Sequence, residues 1–300
     1  MIRNSLIICF VFLIIHGLFI KYNPIGVSQH QWNDNIIRAQ GFLYDDFEGI
    51  NFIIIGTSLS CRLQLDSLRD VYNLAFGGLS VFDGLELLMQ KDKLPDFVLI
   101  ETNFYMKKES ENFRKSLFKP LLYSAKKHFP SLREKHQPVG ILGYYFRQIK
   151  EGVQREKINY KRAGSTVIKS NKFQQNLIER RMKDFEILPN EKDIEDALSR
   201  MDSIVLKLNK LGVSIVFYEM PVNQQIFMSP ASKISRERFK HRFSVNENTY
   251  IFLQENCSYQ TKDGIHLTSL ESIKFTKYFY KELKNITKRN QLNAEKNPDY

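Results

Sequence analysis

The 300-residue chain is 43% hydrophobic and carries 23 Phe and 14 Tyr. That many large apolar side chains can offset the entropy of folding, which excludes a disordered chain and suits one full-sized domain. Three cysteines are too few for a disulfide scaffold, and the formal charge of +11 is local: residues 107–187 hold 20 Lys and Arg against 8 Asp and Glu, so the remainder is close to neutral.

The first element is the stretch Ser5 to Ile20 (SLIICFVFLIIHGLFI), uncharged when His16 is neutral and closed by Lys21. It predicts a membrane segment or a signal peptide over residues 1–21; sixteen residues are short for a span, but Lys21 and Tyr22 extend its reach. No small-x-small cleavage site follows in KYNPIGVSQ, which favours an uncleaved signal anchor over a removed peptide. A buried core helix explains this position less well, because an all-round apolar helix beside a cation at the terminus has little to pack on. The expected arrangement is single-pass, with the N-terminus inside and the following domain extracytoplasmic, in the periplasm or at the cell surface. Residues 22–48 are expected to form a stalk or docking arm, and the anchor demotes nucleic acid as a partner.

From Asn51 short apolar strands alternate with helices, the pattern of an α/β fold with a mostly parallel sheet covered on both faces. The strand candidates are Phe52 to Ile55, Val71 to Leu74, Phe97 to Ile100 and Val213 to Tyr218. Helices are predicted over Ser80 to Gln90, opened by a Ser80/Asp83 cap, over Ile194 to Leu211, which stops at Gly212, and from Thr268 with Glu271 in the capping-box position. The basic region, about 107–187, reads as an insertion between the third and fourth strands, with weak helical runs at Val139 to Ile149 and Phe173 to Phe185. The expected domain spans 49–288, and 289–300 reads as a polar, frayed tail.

The first strand ends in Gly56-Thr57-Ser58-Leu59-Ser60. A serine at a strand's carboxyl end, entering a helix, presents its hydroxyl where α/β sheets bind ligands, and a helix N-terminus favours negative charge there. Taken singly, GTSLS reads equally as a helix cap. Near the other end of the chain stands Asp263-Gly264-Ile265-His266. A serine nucleophile needs a base, the base needs an orienting carboxylate, and a three-residue separation lets Asp263 curl onto the His266 imidazole; alone, the same residues make a surface turn. Gly77-Gly78 after the second strand and Asn103 after the third are placed to donate hydrogen bonds to an oxyanion, together with the Ser58 N–H, although an αL turn and a loop cap are the plain readings of each.

In order along the chain, IIIGTSLS, NLAFGGLS, VLIETN and DGIHL resemble the four blocks of the SGNH (GDSL-like) hydrolases. The resemblance covers roughly residues 50–105 and 213–285. It implies a flavodoxin-like three-layer α/β/α sandwich with Ser58 as nucleophile, Gly78 and Asn103 as oxyanion donors, Asp263 as orienter and His266 as base. Gly78 is preferred to Gly77 because it follows Asn73 by five residues, the usual place of the block glycine. Two positions depart from the family pattern: Thr57 stands where many members carry Asp, and the third block reads Glu101-Thr102-Asn103 rather than Gly-x-Asn-Asp. Single-pass anchored relatives with Gly-[Ser/Thr]-Ser resemble proteins that O-acetylate alginate, peptidoglycan or capsule, or assist D-alanylation of teichoic acids.

The expected activity is therefore serine-dependent acyl hydrolysis or O-acyl transfer on cell-envelope or capsular polysaccharide, O-acetyl groups first, with a multi-span O-acyltransferase as partner in the transfer case. The alternative is a non-catalytic assembly protein that keeps the fold and acts by binding. Neither metal nor nucleotide cofactor is implied: HExxH, Walker and GxGxxG motifs are absent and the six histidines are scattered. The basic insertion reads as a lid or groove for anionic glycan or as a solvated or lipid-attracted surface. Cys61 and Cys257 are each near a candidate catalytic residue and read as two thiols or as a pair.

Overall fold

In the computed structural model the described residues are 2–22, 30–65, 68–146, 149, 169–245, 249–253 and 258–296. The four predicted strands pair in parallel, as β1 (Phe52–Ile55), β2 (Val71–Asn73), β3 (Phe97–Glu101) and β4 (Ser214–Tyr218). A fifth, β5 (Thr249–Ile251), joins the sheet beside β4, giving the order β2-β1-β3-β4-β5. The sequence pattern missed β5.

Strands buried on both faces need apolar residues throughout, and β1 and β3 are buried at every position. Their alternate residues sort onto two faces. Ile54, Leu99, Val216 and Tyr218 cluster with Phe275, Phe279 and Leu283 of α11 (Ser269–Lys296). On the opposite face Ile55 meets α3 (Val81–Leu88) at Gly84, where an added Cβ would lie 2.9 Å from the Leu74 carbonyl. Phe217 there packs edge-on against Phe239 of α10 (Pro230–Arg242), ring centroids 5.0 Å apart. The result is an α/β fold with helices on both faces of a five-stranded parallel sheet.

The remaining helices are α1 (Ile2–Tyr22), α2 (Gln31–Tyr44), α4 (Glu111–Leu117), α5 (Pro120–His128), α6 (138–146), α7 (Lys169–Glu186), α8 (Glu191–Lys210) and α9 (Gln224–Phe227). The capping box at Ser80 forms with both reciprocal bonds. That expected at Thr268 forms only in half: Thr268 Oγ1 accepts from Glu271 N–H at 3.3 Å, but the Thr268 N–H is spent on the Gln260 carbonyl.

Two compact units divide the chain: Met1–Asp46 with Glu111–Thr166, and Phe47–Ser110 with Val167–Tyr300. The segmentation differs from the expected anchor, stalk and inserted lid. Most of the stalk is the helix α2, with Ile36, Ala39 and Phe42 buried, because its apolar residues recur at helical spacing. The insertion contains helices and no strand among its described residues, and its last helix, α7, belongs to the sheet unit. The expected tail is helical to Lys296. Of the run Val139 to Ile149, residues 147 and 148 lie outside the described residues, as do 297–300 and Cys257, so the choice between two thiols and a pair for Cys61 and Cys257 falls outside them too. α1 is one helix of 21 residues, about 31 Å at ~1.5 Å per residue, long and apolar enough to cross a membrane; a signal sequence has the same character.

Phe279 is 1% exposed between Phe275 and the Tyr218 ring, 4.9 Å away by centroids. Phe279→Ala is expected to cost about 3–5 kcal/mol of unfolding free energy, read as a lowered urea midpoint with an unchanged slope.

Candidate active site

The chain leaves β1 through Gly56, and Ser58 follows on a turn that tightens into a three-residue 3₁₀ helix, Ser60–Arg62. The α-helix expected after Ser58 is replaced by this turn, so no helix dipole acts there. Gly56 is required by space: a Cβ would sit 2.6 Å from both Ser60 Cβ and Ser60 Oγ, and 2.7 Å from Glu101 Oε2. The adjacent strands β2 and β3 lie on either side of β1. Gly78 and Asn103 therefore leave strands that flank the one carrying Ser58, at the switch point where open sheets of this order bind ligands.

His266 comes from the turn that precedes α11. Gly264 takes φ +93° there, a backbone that only glycine adopts without strain, and Ile226 Cδ1 would lie 2.7 Å from any Cβ. The turn is closed by a bridge between Thr261 and Leu267 and by the Gly264 N–H to Thr261 Oγ1, 3.2 Å. Asp263 is thereby folded back on His266: its Oδ1 accepts from the His266 backbone N–H at 2.9 Å, and its Oδ2 lies 2.7 Å from His266 Nδ1. His266 Nε2 lies 3.0 Å from Ser58 Oγ. The three residues, 208 and 3 positions apart in sequence, form one hydrogen-bonded series.

Burial lowers the His266 pKa below the ordinary 6.5, reinforced by Arg62 and Arg181, while Asp263 pulls it upward. The imidazole is thus neutral at pH 7 and able to accept a proton. Asp263 is held below the usual carboxylate range by its hydrogen bonds to His266, which outweigh its burial.

Gly78 adopts φ +72° on an exposed turn, its carbonyl accepting from Lys107 Nζ at 2.6 Å. Asn103 is more engaged than expected. Its Oδ1 accepts from Met220 N–H at 2.7 Å and its Nδ2 donates to the Met220 carbonyl at 2.9 Å. One amide hydrogen is committed to the end of β4, which leaves one to serve as a donor.

Sequence reasoning missed Glu101. This carboxylate, with 0% exposure at the end of β3, accepts from Thr57 N–H (2.9 Å), Thr57 Oγ1 (2.6 Å) and Ser60 N–H (3.2 Å), and from Ser60 Oγ. Ser60 Oγ in turn accepts from the Tyr218 hydroxyl at 2.6 Å. The Asn73 amide completes the brace by donating to the Ser60 carbonyl at 2.9 Å. Burial pushes the Glu101 carboxyl above its usual range and the four donors pull against it. The two departures from the block pattern, Thr57 and Glu101, are thus partners. Their signal was a charge closing an otherwise apolar strand (FVLIE).

A cleft of about 410 Å³ opens at the carboxyl ends of β3, β4 and β5, with Asn103 and Phe104 on its wall. Ile226, which touches the Gly264 turn, lines it as well. Glu219 and Arg236 form a half-buried pair in it, Nε to the two carboxylate oxygens at 3.1 and 3.2 Å, with the guanidinium 3.7 Å over the Phe227 ring. Among the described residues no cluster of His, Cys, Asp and Glu suits a metal ion.

No family model and no curated protein matches the chain. Among solved structures, one described as "a putative platelet activating factor from Streptococcus pneumonia" is similar at 10% identity and a TM-score of 0.43. The match covers 83% of this chain and 92% of that one.

Glu101→Gln keeps the shape but turns an NH₂ toward hydrogens that now point at an acceptor. The loss is expected to be at least ~2 kcal/mol, since each buried donor left unpaired costs about 1–3 kcal/mol. Differential scanning calorimetry checks this, and a melting temperature equal to that of the parent would contradict it.

Proposed function

We propose that this chain is a membrane-anchored serine acyl hydrolase or O-acyltransferase of the SGNH type. On this reading it acts on O-acetyl groups of cell-envelope or capsular polysaccharide, with its sheet domain extracytoplasmic. The observation that carries the reading is the unbroken series Ser58 Oγ, His266, Asp263, at 3.0 and 2.7 Å.

In the reaction, Ser58 Oγ attacks the ester carbonyl carbon while its proton passes to His266 Nε2. The carbonyl π bond becomes an oxyanion, stabilised by the Ser58 and Gly78 N–H groups and the remaining Asn103 amide hydrogen. Asp263 stabilises the imidazolium. Collapse expels the alcohol, which takes the proton from His266, and leaves an acyl-serine. Water or a sugar hydroxyl then attacks, giving its proton to His266, and the acid or the new ester leaves as Ser58 is reprotonated. No cofactor enters these steps.

The cleft beside Asn103 supports a bulky acceptor or leaving group: aromatic walls suit a sugar ring, and the Glu219–Arg236 pair offers polar contacts. The length and apolar character of α1 support the anchor. If the acceptor is a sugar hydroxyl, a multi-span O-acyltransferase would deliver the acyl group across the membrane.

A fluorophosphonate reagent is expected to label the folded chain at Ser58, with no labelling of Ser58→Ala and a rate lowered about a thousandfold or more in His266→Ala. Undiminished labelling of His266→Ala would remove His266 as base, and folded wild-type chain that never labels would favour the binding-protein alternative. The labelling rate should also depend on pH. Because the neutral imidazole is the active form, the rate rises with pH through a midpoint below 6.5. A midpoint above 6.5 would contradict the environment described for His266.

A further inference from the structure

Helix α1 ends inside the smaller unit rather than running free. His16, the one basic side chain in the apolar run, is buried, with Nε2 2.9 Å from the His136 carbonyl. One turn on, Ile20 clusters with Ile141 and Tyr144 of α6. The hydrogen bond satisfies an imidazole that would otherwise face an apolar medium unpaired. From His16 to Tyr22 the helix rises about 9 Å.

The same α6 carries a second apolar face. Val139, Leu142 and Phe146 recur at intervals of three and four, which is one stripe of a helix, and they are 58–71% exposed. Ile141 and Tyr144, which meet α1, lie on the other side. Helix α5 adds Leu121, 88% exposed, and Leu122. So many large apolar side chains on one small unit exceed what a water-facing surface usually shows. Beside them Lys119 and Lys127 are exposed, and neither forms an ion pair with the described residues.

We infer that α5 and α6 form a membrane-seating platform: the stripe of Val139, Leu142 and Phe146, with Leu121, lies in the acyl-headgroup boundary of the leaflet that α1 leaves, with Lys119 and Lys127 at phosphate level. Three observations favour a lipid occupant. The face belongs to the unit that contains the end of the apolar helix. The ~9 Å from His16, where one side of α1 first becomes buried, to the end of the helix matches the ~5–10 Å depth at which interfacial helices lie. The neighbouring charges are cationic, as anionic headgroups require. The basic segment is on this reading a second membrane attachment, which fixes the tilt of the unit on the bilayer where a single helix would leave it free. The inference rests on reading α1 as an anchor, and is independent of the acyl chemistry.

The test places tryptophan on the face in the full-length chain. In a Trp32→Phe background, Phe146→Trp and Leu121→Trp are reconstituted separately into phosphatidylcholine/phosphatidylglycerol vesicles, with and without acyl-chain bromination. Both positions are exposed, so the core is untouched, and an unchanged melting temperature checks this. A blue-shifted emission quenched about twofold or more by brominated lipid is expected for a ring at that depth. If the protein resists carbonate extraction but the tryptophans stay unquenched and water-like, the platform is overturned, and another protein is the cover for that face. If carbonate releases the protein, the anchor reading itself fails and the platform with it.

Discussion

A buried carboxylate holds the carboxyl end of the sheet together. Glu101 stands at the end of β3 and accepts four hydrogen bonds from the turn that follows β1, while Tyr218 of β4 reaches the same turn through Ser60. Removing a carboxylate from water costs several kcal/mol. Hydrogen bonds to a charged group contribute about 1.5–3 kcal/mol each, so four of them can offset that cost. All four partners are donors, which matches the acceptor-only ionised form. The turn bearing Ser58 is thereby fixed from below, without the helix that a serine in this position would ordinarily open.

What the brace supports is a division of labour between strand ends and one late loop. The order β2-β1-β3 puts the exits carrying Gly78 and Asn103 on both sides of Ser58. Asp263 and His266 need no such long-range arrangement for their mutual bond, because the Gly264 turn sets it locally. Only the contact of His266 with Ser58 depends on the whole fold. Asn103 shows how the parts share duties: the amide that can face an oxyanion also clips the end of β4, which couples the donor's orientation to the wall of the cleft.

The positive charge belongs to a different part of the molecule's business. The described residues 111–146 share a compact unit with the apolar N-terminal helix, separate from the unit that holds the sheet. Their lysines are interleaved with outward apolar side chains, a composition suited to the boundary between water and lipid. A net charge of +11 read without its distribution would have pointed to nucleic acid.

Much of this was legible in the residues. Runs such as FIII and FVLI are apolar at every position because parallel strands bury both faces, so their number and order announced the α/β sheet. Gly-Thr-Ser and Asp-Gly-Ile-His stand in local turns, and the fold brings Ser58, His266 and Asp263 into one hydrogen-bonded series. Strand β5 was not marked by the sequence pattern, and the helical spacing of the apolar residues in α2 was overlooked within the supposed stalk. The role of Glu101 depended on contacts with residues 41 and 44 positions away, which no local pattern encodes. The association of residues 111–146 with the apolar N-terminal helix was likewise decided by tertiary packing, because sequence reports that a side chain is apolar or charged, while only the folded chain determines which surface it faces.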